Sequence, residues 1–188
     1  MKPALLAIKL LTLMEPIVYG YLDHDKKKHF DTNDQFAHQY YLQAPWQLER
    51  SQIGVCWDQV EYERDFFVKK NLKYKTLAIV ADDGENLPTH SMLYFKTDQQ
   101  FCWFEHSWAQ YRGLWYFDTE KALREKLATR FLQGLDFYHG WKIVQYDQPM
   151  FGINCDQYYQ HLDQGIIKLQ GDGTKITSLF DFTSNKKG

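Results

Sequence analysis

Residues 54–61 read GVCWDQVE and predict the start of a long helix. Gly54 permits a sharp backbone turn before Cys56, and no proline follows as far as Leu72. Oppositely charged side chains three or four positions apart would stabilise this helix, as in the pairs Glu61/Arg64 and Asp65/Lys69. We therefore predict a helix from residue 56 to about residue 72, with a cysteine in its first turn.

The chain that follows this helix indicates an antiparallel sheet. Runs rich in aromatic and apolar residues alternate with turn residues, and the polar residues 97–100 between two such runs predict a hairpin. The predicted strands cover residues 76–81, 90–96, 101–108, 114–117 and 141–146. The other predicted helices cover residues 3–14, 37–41, 44–50, 120–132 and 156–162.

Helices first and antiparallel strands afterwards are typical of an α+β fold. No internal repeat or Pro/Gly/Ser-rich linker divides the chain, so we predict one domain over residues 1–188 with its core at about 44–146. The polar tail from residue 170 is expected to fray. The chain has no GxGxxG or GxxxxGKS/T motif, which argues against a nucleotide-binding sheet.

Charge and composition narrow the range of partners. The chain has 22 Lys and Arg against 24 Asp and Glu, whereas nucleic-acid binding rests on a concentrated excess of basic residues. The one dense basic run, residues 26–29, lies between acidic residues and is typical of a solvated loop. Aromatic residues make up 17% of the chain, enough to build a ring-rich core or line a cleft. We expect no nucleic-acid partner.

The cysteines and the N-terminal stretch bear on the compartment. Three cysteines make a poor disulfide framework, and free thiols indicate a reducing environment. The apolar stretch of residues 1–14 is interrupted by Lys9 and followed by Glu15, unlike a signal peptide, and it is too short to span a membrane. The expected location is the cytoplasm, with no membrane partner.

Cys56 is the most suggestive single residue. A cysteine becomes a strong nucleophile as its thiolate, and the partial positive charge at a helix N-terminus favours that form. The backbone N–H of Cys56 would also be free to stabilise an oxyanion. Helix position alone leaves a buried structural cysteine as the commoner role, because free cysteine is among the most buried residue types.

The predicted hairpin supplies the partners that a thiol nucleophile needs. Catalysis requires an imidazole within hydrogen-bond reach and a third group that fixes its tautomer. A two-residue loop would place His90 directly opposite Glu105, and a four-residue loop would make them diagonal neighbours on the same face. A one-residue slip would bring His106 round instead, and then Asp118 would be its acid. Both pairs stay open, with His90/Glu105 the better supported.

These residues resemble the transglutaminase-like superfamily of papain-like cysteine enzymes. The likeness is closest to small bacterial transglutaminase-like proteins, which carry similar sequences around the nucleophile and in the second hairpin strand. It rests on residues 54–61, on FEHSW at residues 104–108 and on YRG at residues 111–113. It covers about residues 54–118. The resemblance implies a papain-like core in which the nucleophile's helix packs on an antiparallel sheet.

The resemblance also implies roles for individual residues. The nucleophile falls on Cys56, the base on His90 and the orienting acid on Glu105. The superfamily's usual acid is Asp, so Glu105 is a departure that leaves His106 and Asp118 as substitutes. The remaining positions are approximate candidates for oxyanion or substrate contacts: Gln52 or Gln47 for the oxyanion, and Trp57 and Trp103 for the walls of the cleft, although core packing is the commoner role of such tryptophans.

The chemistry implied is acyl transfer through a thioester. Cys56 would attack an amide or ester, and water or an amine would receive the acyl group, which makes the protein a peptidase, an amidase or an acyltransferase. The substrate would be a peptide, a protein side chain or a small acyl compound, with no metal and no cofactor. Cys102 is expected to be structural, and Cys155 with His161 is a lesser candidate pair. A second hypothesis is a non-catalytic peptide- or protein-binding module on the same fold.

Overall fold

The computed structural model describes residues 2–32 and 35–173, which form helices and mainly antiparallel strands. The helices are α1 (Pro3–Met14), α2 (Phe36–Gln39), α3 (Pro45–Ser51), α4 (Cys56–Lys69), α5 (Glu120–Leu132) and α6 (Cys155–Asp163). The strands are β1 (Tyr21–Leu22), β2 (Lys28–His29), β3 (Tyr74–Asp82), β4 (Thr89–Lys96), β5 (Phe101–Glu105), β6 (Gly113–Phe117), β7 (Gly140–Gln145) and β8 (Ile166–Asp172). The predicted α+β class is confirmed.

A six-stranded antiparallel sheet in the order β6-β5-β4-β3-β7-β8 forms the centre of the fold. Because successive side chains of a strand point to opposite faces, β4 divides its residues between two clusters. Leu93 and Phe95 pack with Phe67 of α4, whereas Met92 and Tyr94 pack with residues of α5. The sheet is therefore covered by α4 on one face and by α5 on the other.

The helix α4 begins at Cys56, as the sequence predicts, and ends three residues earlier than predicted. Both predicted ion pairs form, with Arg64 Nε 3.0 Å from a Glu61 oxygen and Lys69 Nζ 2.7 Å from an Asp65 oxygen. Gly54 is required by close approach: a Cβ there would lie 2.6 Å from Leu48 Cδ1 and 2.8 Å from the Cβ of Asp58. Any larger residue would push this loop away from the helix that it precedes.

The hairpin β4–β5 has the four-residue loop. Leu93 pairs with Phe104 and Lys96 with Phe101, which makes His90 and Glu105 diagonal neighbours, the second of the two even-loop registers predicted. The strand ends at Glu105 rather than at residue 108. The carboxylate of Glu105 accepts hydrogen bonds from the backbone N–H of Trp108 and the hydroxyl of Ser107, and these bonds turn the chain out of the strand.

Two terminal elements differ from expectation. The predicted N-terminal helix is present as α1, but not all of its apolar side chains are buried. Leu6 and Leu10 are buried, whereas Leu5 and Ile8 are exposed. The sequence does not predict the edge strand β8, because five of its seven residues are polar or exposed and only pairing with β7 reveals it. The rest of the predicted polar tail, residues 174–188, lies outside the described residues. None of the helices in the described part of the chain is long and apolar enough to cross a membrane.

Candidate active site

The structure brings three of the predicted site residues together. His90 Nε2 lies 2.7 Å from Glu105 Oε2, and both side chains are buried. Cys56, at the first position of α4, lies near enough to the imidazole to help raise the pKa of His90. Glu105 occupies Nε2 of the imidazole, which leaves Nδ1 as the ring nitrogen available to a thiol.

The positive charge of His90 and the negative charge of Glu105 stabilise each other. Burial alone would lower the pKa of His90, but the negative charge of Glu105 and the contacts with Glu105 and Cys56 outweigh it and raise that pKa to about 10. Burial would likewise raise the pKa of Glu105, yet His90 and the bonds from Trp108 and Ser107 hold it below its usual range. At neutral pH the pair is therefore an imidazolium beside a carboxylate.

Asp58 fixes the start of α4 and hence the position of Cys56. One carboxylate oxygen accepts the backbone N–H of Val55 at 3.0 Å, and the other accepts the backbone N–H of Gln43 at 2.8 Å and the hydroxyl of Tyr40 at 3.1 Å. Burial outweighs these bonds and raises the pKa of Asp58 to about 7. Cys56 is the first residue of the helix, so its backbone N–H has no intrahelical acceptor.

Tyr19 is a site residue that the sequence did not reveal. Val18 donates its N–H to the Gln52 carbonyl at 2.9 Å and accepts from the N–H of Gly54 at 3.1 Å, which ties this segment to the loop before Cys56. Burial of the hydroxyl and the negative charges of Cys56, Asp58 and Glu105 raise the pKa of Tyr19. The tyrosine is nevertheless 43% exposed, so part of the residue meets solvent. Only the tertiary pairing of two distant segments reveals it.

The alternative pair is not brought together. His106 Nδ1 lies 2.7 Å from Gln59 Oε1, and the same amide donates to the Gly54 carbonyl at 2.8 Å. Burial and the positive charge of Arg112 lower the pKa of His106 to about 4, so its imidazole is neutral. Asp118 instead accepts a surface hydrogen bond from Gln100 at 3.1 Å. No hydrogen bond or ion pair among the described residues joins His106 to Asp118.

Two cavities flank the cluster. The histidine-side cavity, of about 580 Å³, is lined by His90, Ser107, Trp108, Tyr111 and Arg130 among others. The cysteine-side cavity, of about 700 Å³, is lined by Cys56, Trp57, Glu85, Asp156 and Tyr159 among others. Three residues line both: Tyr19, Thr89 and Phe131. Thus Cys56 is only 3% exposed but borders a space that a small ligand can enter.

Of the two tryptophans predicted to line the cleft, one borders a cavity and the other lies in the core. Trp57 lines the cysteine-side cavity, where its ring stacks on Tyr158 with centroids 4.1 Å apart. Trp103 is 1% exposed and packs in the cluster beneath α5, so its expected place on a wall of the cleft is corrected. Burial of this side chain follows from its inward register on a central strand.

Neither glutamine expected to stabilise an oxyanion borders the two cavities. Gln52 is exposed in a left-handed conformation at the end of α3, with φ 54°. Gln47 uses its side-chain oxygen to accept the N–H of Ala44 at 2.8 Å, which caps the start of the same helix. Both expectations are corrected, because α3 uses these residues at its own ends.

The other two cysteines have no imidazole partner in the described residues. Cys102 is fully buried in the apolar cluster between α4 and the sheet, and burial raises its pKa to about 12. Cys155 lies at the start of α6, and its thiol faces the Phe36 carbonyl at 3.9 Å. His161 hydrogen bonds to the Asp147 carbonyl at 2.8 Å rather than to Cys155.

Comparison with known proteins adds no identification. No protein-family model matches the chain, and no curated protein matches its sequence.

Proposed function

We propose that this protein is a cysteine-dependent enzyme of the transglutaminase-like type, with a papain-like core, that transfers acyl groups through a thioester. The observation that carries the proposal is the buried contact of His90 with Glu105 at 2.7 Å, with Cys56 at a helix N-terminus close enough to help raise the pKa of the imidazole. This is the arrangement of a nucleophile, a base and a group that orients the base.

The first half of the reaction forms the acyl-enzyme. Cys56 Sγ attacks the carbonyl carbon of an amide or ester, and the carbonyl oxygen takes the negative charge. The backbone N–H of Cys56 and the hydroxyl of Tyr19 are the donors that we assign to this oxygen. The imidazolium of His90 then protonates the leaving nitrogen or oxygen as its bond to the carbonyl carbon breaks.

The second half releases the acyl group. Neutral His90 takes a proton from water or from an amine as its oxygen or nitrogen attacks the thioester carbon. The carbon–sulfur bond breaks, and the thiolate and imidazolium are restored. Glu105 holds the imidazole in orientation and stabilises its positive charge in both halves. Water as acceptor gives hydrolysis, and an amine gives transfer.

The test is to mix the native protein with a panel of p-nitrophenyl esters, record the burst of p-nitrophenol and map any acyl adduct by mass spectrometry. We expect one acyl group on Cys56, with no adduct and no burst in Cys56→Ala. Cys155→Ala is the matched control, because that thiol borders the same cavity, and it is expected to keep the burst. A folded native protein that forms no adduct on Cys56 would contradict the proposal and favour a binding module.

A further inference from the structure

The histidine-side cavity carries positive charge. Among the described residues, its lining contains Arg130 and His90 but no carboxylate. Lys126, one turn before Arg130 on α5, adds a second cation nearby: burial and the positive charge of Arg130 lower the pKa of Lys126. Glu105 lies at the base of the site but is engaged by His90, Ser107 and Trp108. An anionic group that enters this cavity would meet an excess of positive charge.

Arg130 differs from the other arginine of its helix. Arg124 Nη1 lies 2.6 Å from a Glu120 oxygen, and Lys121 pairs with Glu125 at 3.7 Å. Arg130 takes part in none of the ion pairs of the described residues, and its guanidinium lies 5.1 Å from the ring centre of Tyr111. Stacking on a ring orients the guanidinium while its N–H donors stay available for a carboxylate.

A continuous aromatic wall connects this guanidinium to the catalytic cluster. The ring of Tyr111 contacts Trp108 edge-on with centroids 4.6 Å apart, and the Trp108 ring lies 4.9 Å from the His90 ring. The Phe131 ring also lies edge-on to the Trp108 ring, with centroids 6.4 Å apart. A ligand that reaches from His90 to Arg130 would therefore lie along apolar rings and end at a cation.

The cysteine-side cavity has the opposite character. Among the described residues its charged lining consists of Glu85 and Asp156, with no lysine or arginine. The acyl group becomes bonded to Cys56, which lines this cavity, whereas the leaving group and the acceptor exchange protons with His90, which lines the other one. The two cavities thus differ in charge. The acyl half of a substrate would lie in the acidic cysteine-side cavity, and the leaving group or the acceptor would lie in the basic histidine-side cavity.

We propose that the histidine-side cavity binds the carboxylate of an α-amino acid or of a peptide's C-terminal residue, with Arg130 as the residue that recognises it. This inference rests on the proposed function, because it assigns the leaving and accepting groups of that reaction. In hydrolysis the C-terminal residue would leave as a free amino acid. In transfer, the amine nitrogen of an amino acid attacks the thioester carbon, His90 takes the proton of that amine, and the carbon–sulfur bond breaks.

The test measures how the acyl-enzyme chooses its acceptor. The protein is acylated with the p-nitrophenyl ester that gives the largest burst, and phenylalanine and phenylalaninamide are compared as acceptors per unprotonated amine. We expect the native protein to favour phenylalanine about tenfold or more, the effect of one charge-assisted hydrogen bond. Arg130→Gln is expected to reduce this preference to near unity. Arg124→Gln is the matched control on the same helix.

A second measurement separates this inference from the proposed function. Phenylalanine and phenylalaninamide are titrated calorimetrically into Cys56→Ala, which cannot be acylated, and into the same variant carrying Arg130→Gln. Tighter binding of phenylalanine that is lost with Arg130→Gln supports the carboxylate site even where no burst is seen, and a missing burst then contradicts only the enzyme. A normal burst with equal use of both acceptors, or a preference unchanged in Arg130→Gln, overturns the inference alone.

Discussion

Two helices of this protein begin with a cysteine beside the same cavity, and their surroundings differ. At α4 the carboxylate of Asp58 caps the helix, and Cys56 contacts an imidazole held by Glu105. At α6 the side chain of Asn154 caps the helix by accepting the N–H of Gln157 at 3.0 Å, and within the described part of the chain the Cys155 thiol has a backbone carbonyl, that of Phe36, as its partner at 3.9 Å.

The difference is in charge rather than in helix geometry. Burial and the negative charges of Asp156 and Asp58 raise the pKa of Cys155 to about 12. Cys56 has the imidazolium of His90 beside it. A helix N-terminus by itself contributes about 1 kcal/mol or less, which is too little to overcome burial. The neighbouring imidazole, and not the helix end, is what sets Cys56 apart from Cys155.

The largest expected effect is on selective alkylation. Native protein treated with iodoacetamide at about pH 6 should be modified at Cys56 at least about a thousandfold faster than at Cys155, because the reagent attacks the thiolate. Peptide mapping by mass spectrometry measures both rates in one sample. The denatured protein, in which the two rates should be similar, is the control. Equal native rates would remove the distinction between the two helix ends.

The next effect separates the two buried histidines near Cys56. His90→Gln should slow the alkylation of Cys56 at about pH 6 by about a hundredfold, since the neighbouring positive charge is lost. His106→Gln should change that rate less than about threefold, because His106 is already neutral and bonded to Gln59. Thermal unfolding of both variants checks that they remain folded. A loss confined to His106→Gln would transfer the role of base to that residue.

A smaller effect is expected on stability and its dependence on pH. The folded pKa of His90 is raised from the ordinary 6.5 to about 10, so its charged pair with Glu105 stabilises the fold fully below pH 6.5 and less as the pH rises through 10. His90→Gln should lower the free energy of unfolding by about 3 kcal/mol at about pH 6, since it leaves a buried carboxylate unpaired. Urea unfolding at about pH 6 and pH 10 should show a smaller loss at the higher pH. A loss that is equal at both would contradict the charged pair.

Local patterns allowed much of this site to be predicted. The start of α4 follows from Gly54 and the charge spacing, and the shared face of His90 and Glu105 follows from the period of a strand and an even loop. The same logic extended β5 to residue 108. It fails there because Glu105 uses one oxygen for His90 and the other for the turn, which ends the strand and directs His106 toward Gln59.

Such local patterns do not predict tertiary contacts. Tyr19 reaches the site through a bridge between Val18 and Ile53, and nothing near Tyr19 in the sequence marks it. Arg130 looks like any basic residue at the end of a helix until its neighbours are known. Trp103 is an aromatic residue that could line a cleft, but its register on the sheet places it in the core. In each case the role depends on what another part of the chain supplies.

The smallest expected effect concerns Tyr19 and sharpens the contrast between thiol activation and transition-state stabilisation. Tyr19→Phe removes one hydroxyl that we assign to the oxyanion, so kcat for the best p-nitrophenyl ester should fall about tenfold or more, with a smaller change in KM. The alkylation of Cys56 by iodoacetamide involves no oxyanion and should stay within about threefold of native. Tyr159→Phe is the matched control, because its hydroxyl donates to the Leu87 carbonyl at 2.7 Å at the edge of the same cavity. If Tyr19→Phe slowed alkylation as much as acylation, the hydroxyl would act on the thiolate instead, and the helix N-terminus would be left as the source of oxyanion stabilisation.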